Sequence, residues 1–262
     1  MKKNIFLAIG LIALALTFAV PVMAVEPKKK IVDIEYETPD QYVVRAKLMY
    51  PLEIKKSYPM VVLLHSLGYS SEFWQSLPDA FNQAGFAVLK IDFKGHGMSA
   101  ADIYFKKRSW IYMNDKAFQT FPNDVYNILK IIFKEYKNIA PNFVSFVGAD
   151  IGANTAIITA EMMTYKPVCM VLIAPSISFK GLYTPIKYAD AGPIDTLAIA
   201  TEQDSTSVNQ LPELKKYAQG NYETKIYKNG GMGMLVIKLN PDMPADITNW
   251  VVDKVNKKLL TY

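Results

Sequence analysis

A five-residue segment, Gly-Ala-Asp-Ile-Gly at residues 148–152, has the composition of a sharp turn that presents one side chain for chemistry. An apolar run of strand type precedes it, and an alanine-rich helical pattern follows it as far as Met162. Glycines two positions either side of Asp150 let strand and helix approach closely. The segment therefore predicts a strand–turn–helix unit with the Asp150 carboxylate at a helix N-terminus. There a carboxylate can act as a nucleophile, or it can simply be stabilised by the helix dipole and the free N–H groups.

The elements around this unit alternate between strand and helix patterns. The run at residues 60–64 is continuously apolar, which is typical of a strand buried on both faces of a parallel sheet. Further strands are predicted at 30–36, 42–50, 86–92, 168–174, 196–201 and 224–227, and helices at 72–84, 124–137, 212–218 and 245–260. This alternation predicts an α/β fold with a mostly parallel central sheet flanked by helices. No linker divides residues 25–262, so we expect one domain, and residues 176–193 are long enough only for a short lid.

Five segments, taken in chain order, resemble the landmarks of the α/β-hydrolase superfamily, particularly its small-lidded serine peptidase-like and dienelactone hydrolase-like branches. They are the oxyanion loop at 65–68, the Asp-x-Arg-Gly-His-Gly-x-Ser loop at 92–99, the nucleophile elbow at 148–152, the acid turn at 201–204 and the histidine turn at 229–234. The resemblance covers essentially all of residues 25–262. It implies an α/β-hydrolase fold with the catalytic triad positions held by Asp150, Asp204 and Met232.

The residues at these positions depart from the family pattern in two places. Asp150 stands where a serine hydrolase has its nucleophilic serine, and Met232 stands where the triad has its histidine. A methionine side chain cannot accept a proton, so the group that activates water is missing. The resemblance also implies oxyanion donors at the backbone N–H groups of Leu67 and Ile151, which do not depend on side-chain identity.

Two functional hypotheses remain open at this stage. In the first, the protein is a catalytically degenerate α/β-hydrolase that binds a small ligand or a partner protein. In the second, Asp150 attacks small esters, epoxides or alkyl halides, as the elbow aspartate does in the superfamily's haloalkane dehalogenases and epoxide hydrolases, with His65 as an unconventional base. The chain has only two histidines; His96, in the glycine loop, is the weaker candidate. Two carboxylates without a third ligand seldom form a metal site, so neither a metal nor another cofactor is predicted.

The N-terminal sequence is typical of a targeting segment. Lys2 and Lys3 precede an apolar run, and Val22 and Ala24 fit a signal-peptidase site, so residues 1–24 are predicted to be a signal peptide. The protein is then exported, to the periplasm or beyond, without a stable membrane anchor. Removal of the signal peptide leaves 27 basic and 24 acidic side chains. This positive surplus is too small and too dispersed to indicate nucleic-acid binding. Residues 104–121 are aromatic and basic, and either line a pocket or pack on the core.

Export predicts a defined N-terminus. We expect the protein recovered from the exported fraction to begin at Val25, because the apolar run is slightly short for a membrane span and ends in a cleavage site. N-terminal sequencing or intact mass measures this. Membrane-bound protein that retains Met1 would show an uncleaved anchor instead.

Overall fold

A computed structural model describes residues 30–261. The signal-peptide prediction for residues 1–24 lies outside them. Ten strands are described: β1 Ile31–Glu37, β2 Val43–Met49, β3 Tyr58–Leu64, β4 Ala87–Asp92, β5 Ile139–Ala149, β6 Cys169–Ile173, β7 Ser178–Phe179, β8 Leu182–Tyr183, β9 Asp195–Thr201 and β10 Tyr222–Tyr227. Eight α-helices join them: α1 Leu77–Gln83, α2 Asp115–Phe118, α3 Phe121–Glu135, α4 Ile151–Met162, α5 Pro185–Asp190, α6 Ser205–Lys215, α7 Leu235–Leu239 and α8 Met243–Leu259.

Eight of the strands form one sheet in the order β1-β2-β4-β3-β5-β6-β9-β10. The hairpin β1-β2 is antiparallel and β2 pairs antiparallel with β4, whereas every pair from β4 to β10 is parallel. This confirms the predicted mostly parallel α/β sheet. Parallel strands share one direction, so the loops that follow β3, β5 and β9 meet at the carboxyl edge.

Helices cover both faces of the sheet, which explains the continuous apolar strands. In β3, Met60, Val62 and Leu64 belong to one buried cluster, together with side chains of α3 and α4. Val61 and Leu63 point the other way, into a second cluster that includes side chains of α1 and α8. Both faces of this strand are buried, so successive side chains are all apolar and do not alternate with polar ones.

Helix α4 is buried over most of its length because it packs against the sheet centre. Its residues from Ile151 to Ile157 are all buried, and small alanine and glycine side chains permit the close approach. By contrast, α3 is amphipathic and buries one stripe that includes Val125, Ile128 and Ile132. The helix that begins at Ile151 is therefore held against the sheet over most of its length.

Two helix predictions need correction. The predicted helix at 72–84 is instead a short 3₁₀ turn at Ser71–Trp74 followed by α1, because Pro78 lacks an N–H and is accommodated only in a first helical turn. The predicted helix at 212–218 is α6, which begins at Ser205 and contains Pro212. There the Asp204 side chain caps the N-terminus, a signal that outweighs the proline.

The segment at residues 176–193 forms the short hairpin β7-β8 and the six-residue helix α5. This matches the predicted short lid. Within residues 30–261, no helix combines the length and apolar character that crossing a membrane requires.

Candidate active site

The turn between β5 and α4 places Asp150 at the carboxyl edge of the sheet. Asp150 has a positive φ of 54° and a ψ of −119°, an uncommon conformation for a residue with a Cβ. A Cβ added to Gly152 would lie 2.0 Å from the Leu64 carbonyl oxygen, and one added to Gly148 would lie 2.4 Å from the Gly152 oxygen. Glycine is therefore required at both positions, and the strain at Asp150 is maintained by tight packing on either side.

The loop after β3 supplies a hydrogen-bond donor to this carboxylate. The Leu67 N–H donates to Asp150 Oδ2 over 3.1 Å. Burial raises the pKa of Asp150 to about 6, while the N–H groups of Leu67 and Ile151 act to lower it and the charge of Asp204 acts to raise it further. The two predicted oxyanion donors thus both interact with the Asp150 carboxylate.

His65 has a structural role that differs from the hypothesis of a catalytic base. Its Nε2 accepts a hydrogen bond from the Phe93 N–H over 3.0 Å, so Nδ1 carries the proton and donates to the Ser66 carbonyl over 2.8 Å. The ring is buried, and this burial lowers its pKa. With both nitrogens engaged and the ring out of solvent, this arrangement does not support His65 as a base.

His96 is held in the same way. Its Nε2 accepts the Gly68 N–H over 3.1 Å, and its Nδ1 lies 3.1 Å from the Lys94 carbonyl oxygen. Burial lowers the pKa of His96 to about 3. The ring stacks on Trp110, with the two planes 8° apart. His96 thereby fixes the peptide that follows Leu67, and so contributes to the position of the Leu67 donor.

Asp204 is turned toward its own helix. Its carboxylate accepts hydrogen bonds from the Ser207 N–H over 3.1 Å and from the Ser207 hydroxyl over 2.5 Å, which caps α6. The side chain is buried, yet it lies at the same cavity as Asp150. A side chain whose oxygens bind its own helix is not free to orient another catalytic group.

Met232 lines the same cavity as Asp150 and Asp204. It is 68 % exposed and lies at the rim. The reason is the glycine-rich turn: Gly230, Gly231 and Gly233 all have positive φ, and the Thr201 hydroxyl donates to the Gly231 carbonyl. The backbone of this turn directs the Met232 side chain toward solvent.

These residues surround a cavity of about 560 Å³. Trp110 and Phe179 provide aromatic wall, and Phe179 comes from the short lid. The cavity is lined by Ser66, Leu67, Tyr69, Trp110, Asp150, Ala174, Ser176, Ser178, Phe179, Asp204, Thr206, Ser207, Gln210, Met232, Gly233 and Leu235. No lysine, arginine or histidine is part of this lining among residues 30–261. Its side-chain charge therefore comes from Asp150 and Asp204.

Sequence reasoning missed two contributors to this architecture. The Ser66 hydroxyl accepts the Met234 N–H over 3.0 Å and joins the oxyanion loop to the glycine-rich turn. The Gln210 side chain accepts the Ile177 N–H over 2.6 Å and ties α6 to the lid. Ser66 lies in the oxyanion loop and Gln210 lies outside all five landmark segments, but the role of each depends on a contact between segments far apart in the chain, which no local motif indicates. In residues 30–261 no cluster of three or more His, Cys, Asp or Glu could hold a metal ion.

Comparison with known proteins identifies the class. The chain resembles a lipase in its open form, with a TM-score of 0.69 at 14 % identity over 87 % of this chain and 99 % of the other. It also resembles the dienelactone hydrolase of Anabaena variabilis, with a TM-score of 0.61 at 12 % identity over 86 % and 96 % of the two chains. A Pyrococcus furiosus esterase gives a TM-score of 0.64 at 16 % identity, with 87 % and 91 % covered. These likenesses show the α/β-hydrolase fold.

A family model narrows this assignment. The model of the serine aminopeptidase S33 family matches residues 55–213, so the chain belongs to that family within the α/β-hydrolase superfamily. Among curated proteins, none matches the sequence. The matched region contains Asp150 and Asp204, and Met232 lies beyond it.

The raised pKa of Asp150 is directly measurable. In a ¹³C NMR titration, we expect the Asp150 carboxyl to titrate near pH 6, because burial disfavours its charged form. Asp204→Asn should lower that midpoint, since it removes a negative charge that raises the pKa of Asp150, and asparagine still caps a helix. Asp190→Asn, at an exposed position in α5, is the matched control and should leave the midpoint unchanged. A wild-type midpoint near pH 4 would contradict the buried, N–H-bound geometry.

Proposed function

We propose that this protein is an exported, catalytically degenerate α/β-hydrolase that binds a small ligand in the cavity at Asp150. The observation that carries this proposal is the hydrogen bond from the Leu67 N–H to the Asp150 carboxylate. In a working nucleophile elbow, the corresponding donor stabilises the oxyanion of the substrate. Here the protein's own carboxylate uses it, so a substrate carbonyl cannot.

The lack of a general base supports the same conclusion. A base must reach the proton it abstracts, directly or through one water. Met232 has no basic atom, and the hydrogen bonds of His65 and His96 occupy both of their imidazoles. Loss of a general base alone typically lowers the catalytic rate by about 10²–10⁴-fold.

The cavity nevertheless keeps the properties of a binding site. Its volume suits a small molecule, and its wall combines aromatic side chains with hydroxyl groups and two carboxylates. Because both charged groups in the lining are acidic, an anionic ligand is repelled and a cationic ligand is attracted. The face of Trp110 or Phe179 adds attraction for a cation. We therefore propose a cationic small molecule as the ligand.

A second candidate function rests on the strained turn. Asp150 is held at a positive φ, and strain of this kind is concentrated at functional sites. With Oδ2 bound by Leu67, the other oxygen could attack a carbon of an epoxide and open the ring, or attack an alkyl halide and displace the halide ion. Either reaction forms an ester with Asp150. Hydrolysis of that ester needs an activated water, so this chemistry should stop after one equivalent.

Ligand charge tests the binding proposal. By calorimetry at pH 7.5, we expect benzyltrimethylammonium to bind at least about tenfold more tightly than benzoate, because a like charge in the cavity costs binding energy. Asp150→Asn should weaken binding of the ammonium ion, whereas Asp190→Asn, at an exposed site outside the cavity, should not. The affinity should also fall as the pH drops below about 6, where Asp150 takes up a proton. Equal or tighter binding of benzoate would overturn the cationic assignment.

A further inference from the structure

A surface segment at residues 104–112, here named the rim segment, exposes large apolar side chains that the cavity does not use. Phe105 is 85 % exposed and Tyr112 is 89 % exposed, and Tyr104 and Ile111 are also exposed. Exposed apolar side chains scattered singly are ordinary on protein surfaces. Four of them within nine residues are a concentrated apolar surface.

The rim segment is held in place by a buried carboxylate. Asp102 is buried and accepts hydrogen bonds from the Tyr104 and Lys106 N–H groups, both over 2.9 Å, and from Arg108 Nε over 3.1 Å. Further along, the Trp110 N–H donates to the Gly95 carbonyl over 3.1 Å. The exposed side chains therefore project from a backbone that is fixed at several points.

Phe105 is presented in a strained conformation. Its φ is 62°, in the left-handed region that is unfavourable for a residue with a Cβ. The cost is not recovered by burial of the phenyl ring, because the ring is in solvent. An observed strain of this kind is a reason to look for a function.

The charge of the rim segment complements an anionic surface. Lys106 and Lys107 are exposed and form no ion pair within residues 30–261. Lys116 is exposed close by in the chain, and Asp115 is the one acidic residue in the stretch 103–121. Aromatic side chains next to unpaired lysines are typical of protein surfaces that lie at the boundary of headgroups and acyl chains.

The rim segment also lies next to the cavity. Trp110 belongs to the segment and lines the cavity wall, and its ring would be 3.0 Å from a Cβ on Gly68 of the oxyanion loop. A surface that engages the rim segment therefore meets the protein at the carboxyl edge of the sheet. Ile54, which is 94 % exposed, precedes β3 and marks the opposite, amino edge.

We propose that the rim segment docks the protein reversibly on an anionic lipid surface, with the aromatic side chains at the headgroup boundary and the lysines on the lipid charges. A lipid surface fits better than an acidic protein, because exposed phenyl and phenol groups find apolar surroundings there without a complementary pocket. One short segment supports a reversible contact and not an anchor. Docking would bring the cavity mouth close to the lipid surface.

Vesicle binding tests this proposal. Every described element lies within residues 30–261, so a chain that starts at Val25 keeps all described contacts and avoids the apolar run at residues 5–20. We would measure cosedimentation with vesicles of phosphatidylcholine alone and with added phosphatidylglycerol. The protein should bind the anionic vesicles, bind neutral vesicles much less, and be released by salt, because screening weakens exposed charge interactions.

Two pairs of variants separate the contributions. Lys106→Gln with Lys107→Gln should lower partitioning about 30-fold, from about 1 kcal/mol for each lysine near an anionic membrane. Its control, Lys134→Gln with Lys137→Gln, makes the same change in net charge near the C-terminus of α3, at the amino edge, and should have no effect. Phe105→Ser with Tyr112→Ser should lower partitioning at least about tenfold, whereas Ile54→Ser should not.

Several results would overturn the proposal. They are no binding to anionic vesicles at low salt, equal binding to neutral vesicles, or an equal loss in the control variants. Retention on immobilised poly-glutamate without vesicle binding would assign the rim segment to an acidic protein partner instead. Circular dichroism melts of each variant confirm that it is folded before its binding is compared.

Discussion

The close packing of α4 on β3 and β5 is the constraint on which the rest of the site depends. At Gly148 and Gly152 the backbones are too near for any side chain, and the residue at the turn between them has a positive φ. That residue is Asp150. Its side chain is thereby held at the N-terminus of α4 beside the Leu67 N–H, and the carboxylate takes the hydrogen bond that this donor offers. The geometry of the corner thus determines both the position of the carboxylate and its raised pKa.

The two histidines show how the fold supports this corner. His65 links the oxyanion loop to the residue after β4, and His96 links the glycine loop back to Gly68. Both rings are neutral and buried, and each uses both nitrogens to satisfy backbone groups that would otherwise be buried without a partner. They hold the Leu67 donor in place but leave the cavity without a basic side chain. The preserved donor and the absent base are therefore consequences of different parts of the structure.

The sequence predicted the fold well because its signals are local or repeat along the chain. The apolar run of β3 predicts a buried strand, and the alternation of strands and helices predicts a parallel sheet. The glycines around Asp150 predict a sharp turn between a strand and a helix. The orientations of side chains in the site were harder to predict. Asp204 caps α6 through Ser207, and Met232 turns outward on a glycine-rich turn. Both depend on a backbone path set by contacts far away in the chain, such as that of Ser66 with Met234.

We propose that the residues at positions 150 and 232 abolish turnover while the fold persists. Hydrolysis of p-nitrophenyl acetate by wild type and by the Asp150→Ser, Met232→His double variant tests it most directly. Serine frees the backbone donors at Leu67 and Ile151, and a histidine at position 232, which lines the cavity, supplies a base. Asp204 is bound to Ser207 and does not orient this histidine, so the restored hydrolysis should be slow. We predict no hydrolysis above background by wild type and slow, continuing hydrolysis by the double variant. Multiple turnovers by wild type, faster than the double variant and lost in Asp150→Asn, would contradict it.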